Sequence, residues 1–178
     1  VNAVSGNKDT PLYGAITNND NACVRALLAA GANVNFVASR GETPLHCAAC
    51  CNDDDEITRL LIHAGAVVNA RDVDNSCPLL LARTATIAGA LLDADADVNA
   101  SNNYAMTPLH NAAQQPHADY VRLLLRHGAE VNAVDAKGRT PLHYAYELST
   151  VQVLISAGAD VHARDNDNLT PLWIRDTT

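Results

Sequence analysis

One tripeptide constrains this chain more than any other feature. Thr-Pro-Leu occurs at Thr10, Thr43, Thr107, Thr140 and Thr170, and Cys77-Pro78-Leu79 is a degenerate copy. The prolines of these units stand at 11, 44, 78, 108, 141 and 171, in steps of 33, 34, 30, 33 and 30 residues. A second landmark keeps pace with the first. Gly31-Ala32-Asn33-Val34-Asn35 recurs as Gly65–Asn69, Asp95–Asn99, Gly128–Asn132 and Gly158–His162, each at a constant distance from the next Thr or from Cys77. A chain that repeats itself this way does not collapse around one centre. Each block is a small supersecondary unit that hides its apolar flank only against its neighbour.

The chemistry of one block follows from its residues. Proline after Thr suits the first turn of a helix, where its missing N–H costs nothing, and the Thr can cap that helix. Leu109 with Ala112 and Ala113 predicts a short helix with a small face that lets a neighbour come close. Val121, Leu124 and Leu125, at i, i+3 and i+4, predict a second helix. Gly128 ends it in the left-handed conformation, and Val131 to Arg139 reads as a hairpin-like connector with Gly138 at its turn.

Composition agrees. Hydrophobic residues make up 48 % of the 178 residues, charged residues 18 % and aromatics 4 %, so Ala, Leu and Val must fill the core of closely spaced helices. The net charge of −8 argues against nucleic acid or an anionic membrane surface as partner. No apolar run reaches the roughly 18 residues of a membrane span. The five cysteines show no disulfide framework and read as reduced thiols of the cytosol or nucleus.

Helix, turn, helix and hairpin with a Thr-Pro-Leu-His-x-Ala start resembles the ankyrin repeat. The residues that carry the resemblance are Thr107–Ala113, Thr43–Ala49 and Thr140–Ala145. The resemblance implies an all-α repeat solenoid of about five repeats plus a partial C-terminal one. The units fall at residues 1–36, 37–70, 71–100, 101–133 and 134–163, with 164–178 incomplete, in a single domain over 1–178. Val1-Asn2-Ala3 reads as the tail of a hairpin whose helices are absent, and Trp173 and Ile174 lie near a raw edge. The expectation is a fragment of a longer protein, or a chain whose last unit caps imperfectly.

The departures from the period carry their own expectations. Thr10 to Gly31 and Thr107 to Gly128 span 21 residues, and Thr43 to Gly65 spans 22, with one residue inserted around Asn52–Asp55. Cys77 to Asp95 and Thr140 to Gly158 span only 18, which predicts a shortened first helix or a tighter loop. Lys8, Asn75 and Ala105 replace the hairpin glycine; Asn tolerates the left-handed region better than Lys or Ala.

No residue pattern reads as an active site. His46, His110 and His143 recur at one place in the period and read as structural. Asn35, Asn69, Asn99 and Asn132 read as structural, each bridging the hairpin with its side-chain amide. In the family such Asn residues are also targets of an asparaginyl hydroxylase whose pattern wants a Leu eight residues earlier, which Leu27, Leu61, Leu91 and Leu124 supply. Cys47, Cys50 and Cys51 beside His46 suggest a metal- or redox-responsive sensor, but a zinc site needs four converging ligands. Asp93-x-Asp95-x-Asp97 lacks the Gly and Glu of a calcium loop. Asn168-Leu169-Thr170 matches the glycosylation sequon by accident of the repeat.

The expected function is protein binding without catalysis, cofactor, metal or small-molecule substrate. The resemblance places the surface on the hairpin tips and the exposed side of the first helices. Carried over by period, its residues are Arg40, Glu42, Asp74, Tyr104, Met106, Gln114, Gln115, Lys137 and Arg139, with Asn7, Asp9, Ser76, Asp167, Leu169, Thr17, Asn18, Cys50 and Cys51 at equivalent places. Tyr104, Met106 and Arg139, then Arg40, are the expected hot spots, since aromatics and Arg dominate interfaces and Met adapts to irregular partners. The chain is read as the recruiting part of a larger adaptor, scaffold or effector. Its expected place is the cytoplasm or nucleus, or a host-cell cytosol for a bacterial effector.

Overall fold

A computed structural model describes residues 1–4, 10–52, 55–116 and 118–171. Among these residues there are ten helices and no strands. They run in pairs: α1 (Pro11–Thr17) with α2 (Asn21–Ala29), α3 (Pro44–Cys51) with α4 (Glu56–His63), α5 (Pro78–Leu81) with α6 (Ala85–Leu92), α7 (Pro108–Ala113) with α8 (Ala118–Arg126), and α9 (Pro141–Tyr144) with α10 (Leu148–Ser156). Lys8, Asn7, Asp9, Trp173 and Ile174 lie outside the described residues.

The chain divides into two compact units, Val1–Asp97 and Val98–Thr178. In the first, α1, α3 and α5 pack in succession and α2, α4 and α6 do likewise. In the second, α7 packs on α9 and α8 on α10. Each unit is therefore a stretch of all-α repeat solenoid, with first helices stacked on first helices and second on second. Leu45, Ala48, Ile57, Leu61, Leu79, Ile87 and Leu91 are fully buried in the first unit, as are Leu109, Ala112, Val121, Leu124 and Leu154 in the second. Small Ala and branched aliphatics fill both cores, as the scarcity of aromatics requires.

Each first helix begins with Pro after an extended Thr or Cys. In α3, α7 and α9 the third helical residue is His, and its ring closes the helix start. The Thr43 N–H donates to His46 Nδ1 at 3.1 Å, and the Thr43 hydroxyl lies 2.9 Å from the same atom. On its other side His46 Nε2–H donates to the Ser76 carbonyl at 3.1 Å, in the following repeat. His110 and His143 repeat the arrangement toward the carbonyls of Arg139 and Leu169. A carbonyl only accepts, so the proton sits on Nε2 and both ring nitrogens are occupied.

The shortened repeats behave as their spacing predicts. Helices α5 and α9 have four residues each, against seven in α1 and eight in α3. Ala82 and Ala145 leave them in extended conformation, with ψ of 129° and 119°. At the hairpin turns Asn75 and Ala105 take φ of 59° and 56°, the left-handed region that Gly138 occupies at 74°. Asn168, at 64°, is a further replacement at the same place.

Candidate functional site

Among the described residues five hairpins present the candidate binding residues, and one carboxylate or amide organises four of them. Asp72 Oδ1 accepts from the N–H groups of Asp74 and Ser76 at 2.9 and 2.7 Å. Asn102 does the same for Tyr104 and Met106, Asp135 for Lys137 and Arg139, and Asp165 for Asp167 and Leu169. The first of these five has Ala38 at this place. The sequence carries the signal as an Asp or Asn five residues before each of Cys77, Thr107, Thr140 and Thr170.

Backbone bonds chain neighbouring tips. The Val73 N–H donates to the Arg40 carbonyl at 3.0 Å in the first unit. In the second, Ala136 donates to Tyr104 and Asn166 to Lys137, each at 2.9 Å. These bonds hold the tip backbones in place.

In the first unit Arg40 lies 3.0 Å from Asp74 and 3.9 Å from Glu42. The Arg40 side chain is 69 % exposed, and exposed pairs of this kind contribute only about 0–1 kcal/mol. A partner can therefore take these charges over at little cost. In the second unit Tyr104 is 62 % exposed, while Met106 is half-buried beside it. Gln114 and Lys137 are exposed and Gln115 is half-buried; Gln114 Nε2 donates to the His110 carbonyl at 3.3 Å.

Arg139 has a different setting. Its side chain is 25 % exposed, and its Nε lies 3.1 Å from Oδ2 of Asp165, whose side chain is 1 % exposed. The Tyr144 hydroxyl donates to Asp135 Oδ2 at 2.5 Å, and the Tyr144 ring stands edge-on to His110 with centroids 5.9 Å apart. Burial opposes the charges of Asp135 and Asp165. The Tyr144 hydroxyl and the Arg139 and Lys137 N–H groups outweigh it at Asp135, and the Leu169 N–H and Arg139 do so at Asp165. Both carboxyls are held below their ordinary value.

The ladder of asparagines joins each repeat to the next. Asn35 Nδ2 donates to the Gly65 carbonyl at 3.0 Å and its Oδ1 accepts from Val67 N–H at 2.9 Å. Asn69, Asn99 and Asn132 make the same pair of bonds to Asp95 and Asp97, Gly128 and Glu130, and Gly158 and Asp160. Asn2 does so with Gly31 and Asn33, a rung the spacing also marks.

The cysteine cluster gathers on α3. Cys51 Sγ lies 3.9 Å from Cys47 Sγ and 3.3 Å from Cys50 Sγ. Burial pushes the Cys50 thiol up to about 12 and Cys47 higher still, so both are protonated at neutral pH and weak as nucleophiles. His46 has no free ring nitrogen to offer a metal. Among the described residues no group of three His, Cys, Asp or Glu side chains is arranged to hold one. Asp93 pairs with Arg59 at 3.8 Å, and Asp95 takes φ of 62° at the end of α6 in place of glycine.

Residues 1–72 and 79–173 match the family model described as Ankyrin repeats (3 copies). The chain belongs to the ankyrin-repeat family. It is 36 % identical over 171 residues to the B-cell lymphoma 3 protein homolog of Mus musculus, covering 88 % of this chain and 38 % of that protein. It is 33 % identical over 174 residues to the nuclear factor NF-kappa-B p105 subunit of Gallus gallus, covering 92 % and 17 %. With the transient receptor potential cation channel subfamily A member 1 of Drosophila melanogaster it shares 39 % over 146 residues, covering 74 % and 12 %. The ankyrin chain thus spans well under half the length of these relatives. Ankyrin repeats are protein–protein interaction modules. No helix among the described residues is long and apolar enough to cross a membrane.

Proposed function

We propose that this ankyrin chain recruits a protein partner through its hairpin tips, acting as the binding part of a larger adaptor, scaffold or effector in the cytoplasm or nucleus. The observation that carries the reading is Tyr104. It is a large side chain, 62 % exposed, on a tip whose backbone is fixed by Asn102 and Ala136. A rigid backbone presenting an aromatic lowers the ordering cost of binding. Met106, Gln114, Gln115 and Lys137 complete the surface in the second unit, and Arg40, Glu42 and Asp74 offer a charged one in the first. Arg139 enters as a support for the tip, its contact with a partner limited to the exposed quarter of its side chain.

Affinity purification with the wild-type chain, followed by mass spectrometry, identifies the partner; quantitative binding to Tyr104→Ala then tests the site. Loss of binding at unchanged melting temperature is the expected result. Unchanged affinity removes Tyr104 from the surface.

Hydroxylation of Asn35, Asn69, Asn99 and Asn132 is a proposal of the same standing. Both amide atoms of each hold the ladder, so modification requires local opening of the hairpin. Intact-mass measurement after incubation with the hydroxylase reads it as single-oxygen increments. The sensor reading of Cys47, Cys50 and Cys51 gains no comparable support, because two of the three thiols are buried or half-buried and strongly protonated.

A further inference from the structure

The second helices show a contrast between the two units. Counting back two residues from Leu27, Leu61 and Leu124, the leucines four before each helix-ending glycine, gives Arg25, Arg59 and Arg122. In the first unit each of these arginines reaches the second helix of the next repeat. Arg25 pairs with Glu56, and Arg59, which also pairs with Asp55 at the start of its own helix at 2.5 Å, reaches Asp93 at 3.8 Å. Transferred by the same count to α10, the two carboxylate positions hold Ser149 and Ser156. A serine hydroxyl neutralises no charge. Arg122 has only a partner on its own helix, Asp119 at 3.1 Å, a carboxylate that is 83 % exposed, and no cross-repeat carboxylate among the described residues. An exposed pair of this kind is easily exchanged for a better one.

A groove of about 570 Å³ lies between α8 and α10, within the size range of ligand clefts. Leu125 and Val153, both half-buried, give it an aliphatic floor. Arg122 and Arg126, one turn apart, stand on one rim, with Gln152 and Ser156 on the other. Arg126 Nε donates to the Arg122 carbonyl at 3.3 Å, and no carboxylate pairs with Arg126 among the described residues. On a chain of net charge −8, two guanidiniums beside an aliphatic floor form a local reversal of sign.

We propose that the α8–α10 groove is a second docking surface and that its occupant is an acidic amphipathic helix of a protein partner. Two carboxylates at i and i+4 of that helix match the spacing of Arg122 and Arg126, and an aliphatic side chain between them lies on Leu125 and Val153. An amphipathic helix laid into a groove is a general recognition mode. The surface uses none of the hairpin-tip residues, so it stands or falls independently of the site around Tyr104.

The test titrates the full chain against a fluorescently labelled synthetic helix with Glu at i and i+4 and Leu between them, read by anisotropy. Saturable binding is expected. Arg122→Glu with Arg126→Glu should weaken it at least about tenfold, and replacing both Glu of the peptide with Lys should restore binding to that variant. Tyr104→Ala should leave it unchanged. Ser156→Asp supplies the carboxylate that Asp93 places just after α6, so it should satisfy Arg122 internally and weaken the peptide without lowering the melting temperature. The proposal is overturned if the wild type shows no saturable binding or if the charge-reversed chain binds the acidic peptide as well as the wild type does. It is also overturned if inorganic phosphate at matched ionic strength displaces the peptide fully, which would make the groove a simple anion site.

Discussion

Arg139 Nε meets Oδ2 of Asp165 at 3.1 Å across two successive hairpins. The same Asp165 holds its own hairpin by accepting from the Asp167 and Leu169 N–H groups through Oδ1. Arg139 thus steadies the acceptor on which the next turn depends. Tyr104, one repeat earlier, has no such task for its side chain. Two residues that look alike as interface hot spots therefore separate: Arg139 supports a turn, and the Tyr104 side chain is exposed.

That separation is measurable. Arg139→Ala leaves a buried carboxylate without its cation and should destabilise the last hairpin by about 1–3 kcal/mol, seen as faster amide exchange at Asp167 and Leu169. Tyr104→Ala should change the melting temperature little while weakening the partner. Early unfolding of Tyr104→Ala would assign that residue to packing between hairpins.

Stability should fall on acidification in two windows. Burial pushes His46 and His110 below the ordinary histidine value of 6.5. The unfolded chain then binds more protons than the folded one between 6.5 and those lowered values, so stability drops as pH falls through that range. Asp135 and Asp165, held below 3.8, open the second window. Their contribution is full above 3.8 and is lost as pH falls through the folded values. Thermal melts against pH should show the first decline in the wild type and a shallower one in His46→Gln with His110→Gln. A wild-type curve that stays level from neutral pH down to 4 would contradict the histidine assignment.

The repeat and its phase were legible because Thr, Pro, His and Gly act on the backbone within a few residues of themselves. The four-residue helices α5 and α9 were legible from the 18-residue spacing for the same reason. Arg139 was not, because what decides its role is Asp165, 26 positions on, and a tip arginine with or without a buried partner has the same local sequence. The turn acceptors Asp72, Asn102, Asp135 and Asp165 stood at a constant offset and could have been found. The absence of a cross-repeat carboxylate for Arg122 is written in serines at Ser149 and Ser156, which mean something only beside Glu56 and Asp93.

Ala105 sits at φ 56°, where its Cβ crowds the backbone at a cost of roughly 1–2 kcal/mol. Ala105→Gly relieves this but loosens the unfolded chain by about 0.4–1 kcal/mol. The net expectation is a gain of about 0.5–1 kcal/mol, a rise of a few degrees in melting temperature. Gly138→Ala runs the other way and further. At φ 74° an added Cβ would also lie 2.6 Å from Asn166 Oδ1. Equal melting temperatures for wild type and Ala105→Gly would show that the turn relaxes without cost.

Thr58 occupies a fully buried position of α4 at which the other second helices carry Val24, Ala88, Val121 and Val151. Its hydroxyl oxygen finds no hydrogen-bond partner among the described residues. Burying an unpaired hydroxyl costs about 1–3 kcal/mol, and an apolar group of the same shape removes that cost. Thr58→Val keeps the branched shape, so neither cavity nor overpacking offsets the gain. Chemical denaturation should show a rise of about 1 kcal/mol in unfolding free energy with the same slope against denaturant. Thr58→Ala, which also removes the hydroxyl but empties a methyl-sized space, should gain less or lose. If Thr58→Val is less stable than the wild type, the hydroxyl has a partner in solution and the helix pair α3–α4 is held by it.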